Sequence, residues 1–561
     1  MAEKRKNIIG FLGVIILMLL VSGICMAPCF ENGLPYGDDQ QIHMLRVESI
    51  LKAFRTGQGY PIYVYQNMLE GYGYGMGLFY PDIFLLPAVL FRILGAGPEL
   101  AMKLYIFLIL LCTSAASYYA GRYIGGRKYT GIVMMVLYTM GHYHLEDIYI
   151  RFALGEAAAM IFIPLAFVSL YDLTERGHSK KGLMCITYAC LMLSHTISFI
   201  LCVILAVLWV VIRTVRISRN IRLVVDIMAE AVMCAAITAY YWLPVLEQFA
   251  DGSFHVSSDP AFYTHEETLS LLAIVSGKYS VAFIEVGILA LLVFASVYKK
   301  VYNKKALLCL VAAAVLLICE TKLFPWKLVD KTPLVSIQFP WRLNMFTEFF
   351  VALGIALQSA DIIARLASYR RNVCVCAAGS ILIGIFSLNM VWNVELGGYV
   401  NYPDGYADSA ENTDSIGFWE WLPAEGDLAD TVRSGDKYMV SVCGDTLAGV
   451  YNRDGSYEFD AGGNPGIYVI PKYYYKGYVA EVRYESGSWC DIQVSKDKEN
   501  GLVMLACDQG TENVKVEYRG TSIQKISKWV SMISLLVFCL LFIVKKFTDR
   551  KGIIWNETEG V

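Results

Sequence analysis

Two adjacent carboxylates, an imidazole and a guanidinium stand close together in "GDDQQIHMLRV": Asp38, Asp39, His43 and Arg46, just after an apolar run. Groups of these types move protons and hold anions when a fold brings them to one place. Asp39, His43 and Arg46 are spaced i, i+4 and i+7, which sets them on one face of a helix. Asp38 suits the N-cap, its carboxylate on free N–H groups. Ile42, Val47, Ile50, Leu51 and Phe54 fill much of the remaining surface. The stretch therefore predicts an amphipathic helix lying on a membrane with its polar face exposed. A solvated surface helix with ordinary capping is the plain alternative. A second set follows in "HYHLEDIYIRFALGE", with Glu146, Asp147, Arg151 and Glu156. Asp147 and Arg151 have the spacing of a simple helix ion pair, and His142 and His144 alone make a sparse metal-ligand set. Later come His195 in "LSHTISF", Glu247 in "YYWLPVLEQF", and Arg342 and Glu348 in "QFPWRLNMFTEFF".

The elements that must position these groups are membrane helices. Of 561 residues, 56% are hydrophobic and the mean hydropathy is +0.48, too apolar for a soluble chain of this size. A formal net charge of -3 leaves no nucleic-acid footprint. The fifteen cysteines are scattered, mostly in apolar runs, and read as small buried hydrophobes. Apolar stretches of spanning length recur at 8–28, 100–120, 129–143, 153–171, 181–196, 197–213, 222–246, 279–298, 305–320, 343–360, 373–393 and 526–545. The first lacks a small-x-small cleavage site and reads as a retained helix. That makes about twelve transmembrane helices.

Basic loops fix an orientation, because Lys and Arg near helix ends stay cytoplasmic. "MAEKRK", "GRYIGGRK", "ERGHSKK", "RTVRISRNIR", "YKKVYNKK", "ARLASYRRN" and "KKFTDRK" all fall inside, with both termini cytoplasmic, provided 78–95 is re-entrant or interfacial. Pro81 and Pro87 in that run agree. The acids, arginines and His195 then gather on the extracytoplasmic face. A charge at a membrane boundary is costly unless solvated or paired, so clusters converging on one face imply a wet polar cavity opening outward.

Residues 394–525 differ in kind. "KYMVSV", "AGVYNRDGSYEF", "GIYVIPKYYYKGYVAEVRY", "WCDIQVS", "GLVMLAC" and "NVKVEYRG" are Val-, Ile- and Tyr-rich runs between Gly, Asp and Asn turns. They predict an extracytoplasmic β-sandwich-like domain. "FWEWLP" at 418–423 predicts a short helix leading into it. Tyr473, Tyr474, Tyr475 and Tyr478 could stack on sugars, although tyrosines are common in strands anyway. The chain divides into a transmembrane domain, 1–393, with an outer loop 30–98; the β-rich domain, 394–525; and a last helix with a cytoplasmic tail, 526–561.

The order of "GDDQQIHMLRV", "GYGYGMGLFYPDIFLLPAVLFRILG", "YIRFALGEAAAMIFIPLAF", "LMLSHTISF", "YYWLPVLEQ" and "QFPWRLNMF" resembles the GT-C superfamily of membrane glycosyltransferases. It is closer to a bacterial membrane family labelled "6-pyruvoyl-tetrahydropterin synthase-related". The ending "VIPKYYYKGYVAEV", "NGLVML" and "VKVEYRGT" looks like the membrane-proximal β module of large bacterial GT-C proteins. Pterin chemistry would need a compact domain with a histidine zinc triad, whereas these histidines lie at helix ends.

The resemblance implies a mainly α, polytopic fold and transfer of a sugar from a polyprenyl-phosphate carrier to an envelope glycan, lipid or protein, with inversion at the anomeric carbon. It implies Asp39, or Asp38, as the catalytic carboxylate, and Asp39 is preferred because Asp38 is expected to cap. Arg151, Arg342 and His195 become candidates for holding the donor phosphate. Glu146 or Asp147 matches a second acidic loop that helps to hold a divalent metal, Mg2+ or Mn2+, in some relatives. His43, Arg46, Glu156 and Glu247 are supporting candidates. Two other classes compete. A polyprenyl-lipid transporter or flippase needs polar groups at mid-membrane depth on broken helices. A non-catalytic envelope scaffold needs only the β domain.

Overall fold

The computed structural model describes residues 2–214, 217, 219–258, 262–276, 300–365, 397–408, 420–425, 439–442, 445–484 and 487–558. The expected spans 279–298 and 373–393 lie outside these residues. What is described is mainly helical, with a β-sheet near the C-terminus. Five helices are long and apolar enough to cross a membrane: Ile8–Cys25, Pro98–Gly125, Leu154–Glu175, Pro340–Ala364 and Ser522–Val544. A bent pair, Ile221–Ile237 and Ala239–Asp251, would make a sixth.

Several expected spans are interrupted, each for a local reason. The run 129–143 ends early: helix Lys128–Thr139 stops, and His142–Tyr149 starts afresh after Gly141. The Glu348 carboxylate accepts the N–H groups of Tyr143 at 3.2 Å and His144 at 3.3 Å, satisfying two donors that a helix start leaves unpaired. A Cβ on Gly141 would lie 1.9 Å from Glu348 Oε1, so only glycine lets that carboxylate approach. The run 222–246 bends by 71° at Thr238. Pro244 cannot donate to the carbonyl of Tyr240, and the Tyr63 hydroxyl donates to that carbonyl instead at 3.0 Å. The expected stretches 181–196 and 197–213 are not interrupted: they are two separate helices, Leu183–Ser194 and Thr196–Ile212, each shorter than a full span. The 78–95 run is also broken, and its apolar helix Ile83–Ile93 is too short to span about 30 Å of hydrocarbon.

The loop before helix Gln40–Arg55 is pinned on two sides. Leu34–Pro35 pairs antiparallel with Tyr399–Val400. The N–H groups of Asp38 and Asp39 donate to the carbonyls of Ile150 and Arg151 at 3.0 and 2.8 Å. The two acidic stretches, far apart in sequence, are thus stitched together through backbone. Gly37 lies against Phe152, which has a left-handed φ of 54°, and a Cβ at Gly37 would meet Phe152 Cβ at 2.7 Å.

The C-terminal strands form one continuous antiparallel sheet of nine strands rather than two packed sheets. Its order is Trp489–Ile492, Tyr478–Tyr484, Thr511–Tyr518, Tyr457–Asp460, Asp445–Tyr451, Met439–Val442, Gly466–Tyr473, Leu502–Cys507 and Val494–Lys496. The two edge strands are consecutive in sequence and joined through Gln493 alone. The sheet must therefore curl until its ends nearly meet, which hides edges as a barrel does.

Tyr473, Tyr475 and Tyr478 are buried where this sheet meets the 60–80 loop. Tyr473 N–H donates to Tyr72 O, and the Tyr475 hydroxyl donates to Trp421 O at 3.0 Å. These three tyrosines join the sheet to the loop and offer no exposed sugar-stacking strip. Residues 420–425 form turns, with Pro423 bridged to Phe254, where a short helix was expected; 418–419 lie outside the described residues.

Candidate functional site

Helix Gln40–Arg55 takes Asp39, not Asp38, at its N-cap, and neither carboxylate caps it through a side-chain hydrogen bond. His43 and Arg46 do share a face, but that face is turned inward: they are 2% and 1% exposed. The expected exposed polar face is therefore overturned. Its cause is Asp82, the acid in "LFYPDIF". Arg46 grips the Asp82 carboxylate with Nε at 3.1 Å and also with Nη2, and donates to Pro81 O at 3.0 Å. The Tyr65 hydroxyl takes the other Asp82 oxygen, and Arg46 lies 4.1 Å over the Tyr80 ring. Burial, together with the Arg46 charge, holds the His43 imidazole well below its usual range, so it stays neutral.

A second ionic cluster adjoins this pair. Arg151 contacts Asp147 and donates to Glu156 Oε2 at 3.2 Å and to the Tyr143 hydroxyl at 3.1 Å. That hydroxyl donates to Glu156 Oε1 at 2.6 Å. Arg151 also lies 4.6 Å over the Trp341 ring. Arg342 reaches the same Glu156 oxygen with Nε at 3.4 Å and donates to Ile337 O at 2.9 Å and Gln338 Oε1 at 3.1 Å. Two guanidiniums thus converge on Glu156, with Asp147 as a further acid. Burial pushes the Asp147 carboxyl well up, and the Glu156 charge adds to this against the pull of Arg151. Asp147 Oδ2 is buried and has no hydrogen-bond partner among the described residues.

Asp39 stands beside this cluster in a different state. Solvent reaches it, yet protein crowds it closely enough that burial pushes its carboxyl up. Arg151 and Arg342 oppose that push, while Asp38 and Glu156 reinforce it. A carboxylate that water reaches while protein surrounds it stands in a wet recess. Asp38 is also solvent-exposed, and burial raises it against Arg151.

His195 packs near Tyr80 with ring centroids 6.1 Å apart. Its Nδ1 caps helix Thr196–Ile212, accepting from Ser198 N–H at 3.4 Å and lying 2.8 Å from Ser198 Oγ, which leaves Nε2 for other contacts. Glu146 lies 3.7 Å from His142 Nε2. Glu247 is placed elsewhere: it accepts from the Thr521 hydroxyl at 2.5 Å and lies 3.9 Å from Lys476 Nζ, at the junction with the β-sheet. The structure sets it against the sheet junction and not against Arg151 and Glu156. Besides Asp82, the structure adds a residue that the sequence did not flag. Glu420 accepts from Gln338 Nε2 at 2.8 Å, and burial pushes its carboxyl up, against Gln338 and Arg342 and with Asp39 adding to the push. The only hint was an acid between two tryptophans in "FWEWLP".

Asp147 is engaged by Arg151, and among the described residues no group of three or more His, Cys, Asp or Glu side chains could hold a metal ion. What the cluster offers is a paired-guanidinium centre beside a solvated carboxylate.

Apolar helices of spanning length around a buried ionic cluster define an integral membrane protein. The family model described as "6-pyruvoyl-tetrahydropterin synthase related domain; membrane protein" matches residues 79–394, and the chain belongs to that family. A relative, an uncharacterized protein of Lactococcus lactis subsp. cremoris (strain MG1363), is 22% identical over 335 residues, covering 56% of this chain and 54% of the relative. The chain thus spans about half the length of the curated relative it matches.

Proposed function

We propose that this chain is a GT-C-type glycosyltransferase of the cell membrane. It moves a sugar from a polyprenyl-phosphate carrier to an envelope glycan, lipid or protein acceptor on the extracytoplasmic face, with both termini cytoplasmic. The observation that carries the reading is the solvated Asp39 beside two guanidiniums that share Glu156. Arg151 and Arg342 both contact Glu156, and two guanidiniums converging on one carboxylate are a donor set suited to a phosphate. Asp39 takes the proton of the acceptor hydroxyl as that oxygen attacks the anomeric carbon, and the polyprenyl phosphate leaves with the bonding electrons. Arg151 and Arg342 stabilise the charge growing on it. A carboxylate raised by burial is a better base once ionised, and such a base contributes roughly 100- to 10,000-fold in rate.

The Asp39→Asn variant tests this in cells. It should insert and fold while the sugar content of the envelope falls to that of a deletion strain. Unchanged envelope sugar in a correctly inserted variant would refute the assignment.

A lipid transporter is the second reading, favoured by the 71° break at Thr238. It predicts that Asp39→Asn leaves activity intact, whereas a substitution at the break itself, Thr238→Ala, abolishes it.

A further inference from the structure

A cavity of about 360 Å3 lies where the sheet, the 58–66 loop and the start of the last helix meet. Gln58, Gln66, Tyr63, Tyr518, Lys525 and Lys528 are among its lining residues. Lys525 and Lys528 sit in the first two turns of helix Ser522–Thr558. From Lys525 onward the helix turns apolar side chains outward: Ile526 is 63% exposed, Trp529 62% and Ile533 57%. An exposed tryptophan followed by exposed aliphatics marks the level where headgroups give way to hydrocarbon. The two lysines therefore stand at headgroup depth, with their apolar stems able to lie along the helix.

The charges around the cavity are unequal in availability. Arg519 is held by Glu481 at 2.6 Å, by Asp491 at 3.3 Å and by Glu517. Asp454 accepts from Ser456 N–H and Oγ at 2.9 and 2.7 Å. Neither Lys525 nor Lys528 has an ion-pair partner among the described residues. Beneath the cavity, Lys472 is wholly buried and donates to Gln66 Oε1, Gly71 O and Gly455 O at 3.1, 2.8 and 2.9 Å. Lys472 is thus spent on protein acceptors, which leaves Lys525 and Lys528 as the groups available to an anion.

We propose that this cavity binds the phosphate-bearing headgroup of an anionic membrane lipid, with Lys525 and Lys528 on the phosphate and the acyl chains along Ile526, Trp529 and Ile533. Cations at this depth attract anionic lipid electrostatically, and Gln58, whose Nε2 donates to Asp454 O at 3.1 Å, keeps its Oε1 for a headgroup hydroxyl. The site is separate from the Asp39 recess and does not depend on the transferase reading.

The test is thermal unfolding of the purified full chain in mild detergent, titrated with phosphatidylglycerol, with phosphatidylcholine, or with inorganic phosphate. Phosphatidylglycerol should raise the midpoint well above the effect of phosphatidylcholine. The K525Q/K528Q double variant should weaken half-saturation at least tenfold while keeping the wild-type midpoint in phosphatidylcholine. Gly59→Phe offers a second variant: Gly59 lines the cavity with open space around its Cβ position, so a ring there would fill it. It should remove the same increment. The proposal is overturned if both variants keep the phosphatidylglycerol increment. It is equally overturned if inorganic phosphate at matched concentration reproduces the increment, since the ligand would then be a free ion.

Discussion

Arg46–Asp82 and Arg151–Glu156–Arg342 are neighbouring buried ionic groups built on opposite plans. In the first, one guanidinium meets one carboxylate, and the remaining donors and acceptors go to Pro81 O and the Tyr65 hydroxyl. Its polar groups are satisfied within the protein. In the second, Arg151 and Arg342 share Glu156, Asp147 keeps an oxygen unpartnered, and the solvated Asp39 stands alongside. A satisfied pair fixes structure, whereas an over-shared cluster beside a solvated carboxylate can exchange a partner for a ligand. The comparison separates residues that hold the site from residues that act in it.

That separation can be broken by experiment. Arg46→Ala leaves Asp82 buried without a counter-charge and should cost about 3–5 kcal/mol of stability, read as a loss of folded protein in detergent. If Arg46→Ala folds normally and loses only activity, the two groups have been assigned the wrong way round.

Asp39→Asn should do the reverse, lowering transfer roughly 100- to 10,000-fold with the fold intact. Its effect on stability has a defined sign. Burial raises the Asp39 carboxyl, so the folded state binds a proton more tightly than the unfolded chain, whose carboxyl titrates near about 3.9. Stability therefore falls as pH rises through the interval from that value to the raised one, and at neutral pH ionised Asp39 costs stability. The Asn variant should melt at the same temperature as wild type or higher at neutral pH, and lose that advantage in acid.

A smaller effect is expected of Arg342→Gln, which leaves Arg151 on Glu156. Donor half-saturation should rise about tenfold with a lesser change in turnover. The smallest belongs to Glu420→Gln. It removes a carboxyl near Asp39 but keeps a polar partner for Gln338, so it should shift the acid limb of the pH–activity profile downward and leave the plateau within a few-fold.

Much of this arrangement was legible in the sequence, and the limits have physical causes. Helical spacing put Asp39, His43 and Arg46 on one face, and charge at the ends of apolar runs marked Arg151, Glu156 and Arg342. What spacing cannot carry is the partner across space. Asp82 lies in "LFYPDIF", an apolar run in which one acid looks incidental, yet it turns the Arg46 face inward. The capping role went to the wrong aspartate because backbone pairing of residues 38–39 with 150–151 shifts the helix start by one residue. Alternating Val, Ile and Tyr announced the strands, but their closure into a single curled sheet depends on pairing that no local pattern encodes. Glu247 looked like another boundary acid, and only the fold shows it facing Thr521 and Lys476.

The central claim is that Asp39, beside the two guanidiniums, removes the acceptor proton during sugar transfer from a lipid phosphate. Release of polyprenyl phosphate from a radiolabelled polyprenyl-phosphate sugar by the purified full chain measures it directly. Wild type should release the carrier in the presence of an envelope acceptor extract, and Asp39→Asn should bind the donor equally well while releasing it at least about 100-fold more slowly. Equal rates in the two proteins, or no donor binding by either, would contradict it.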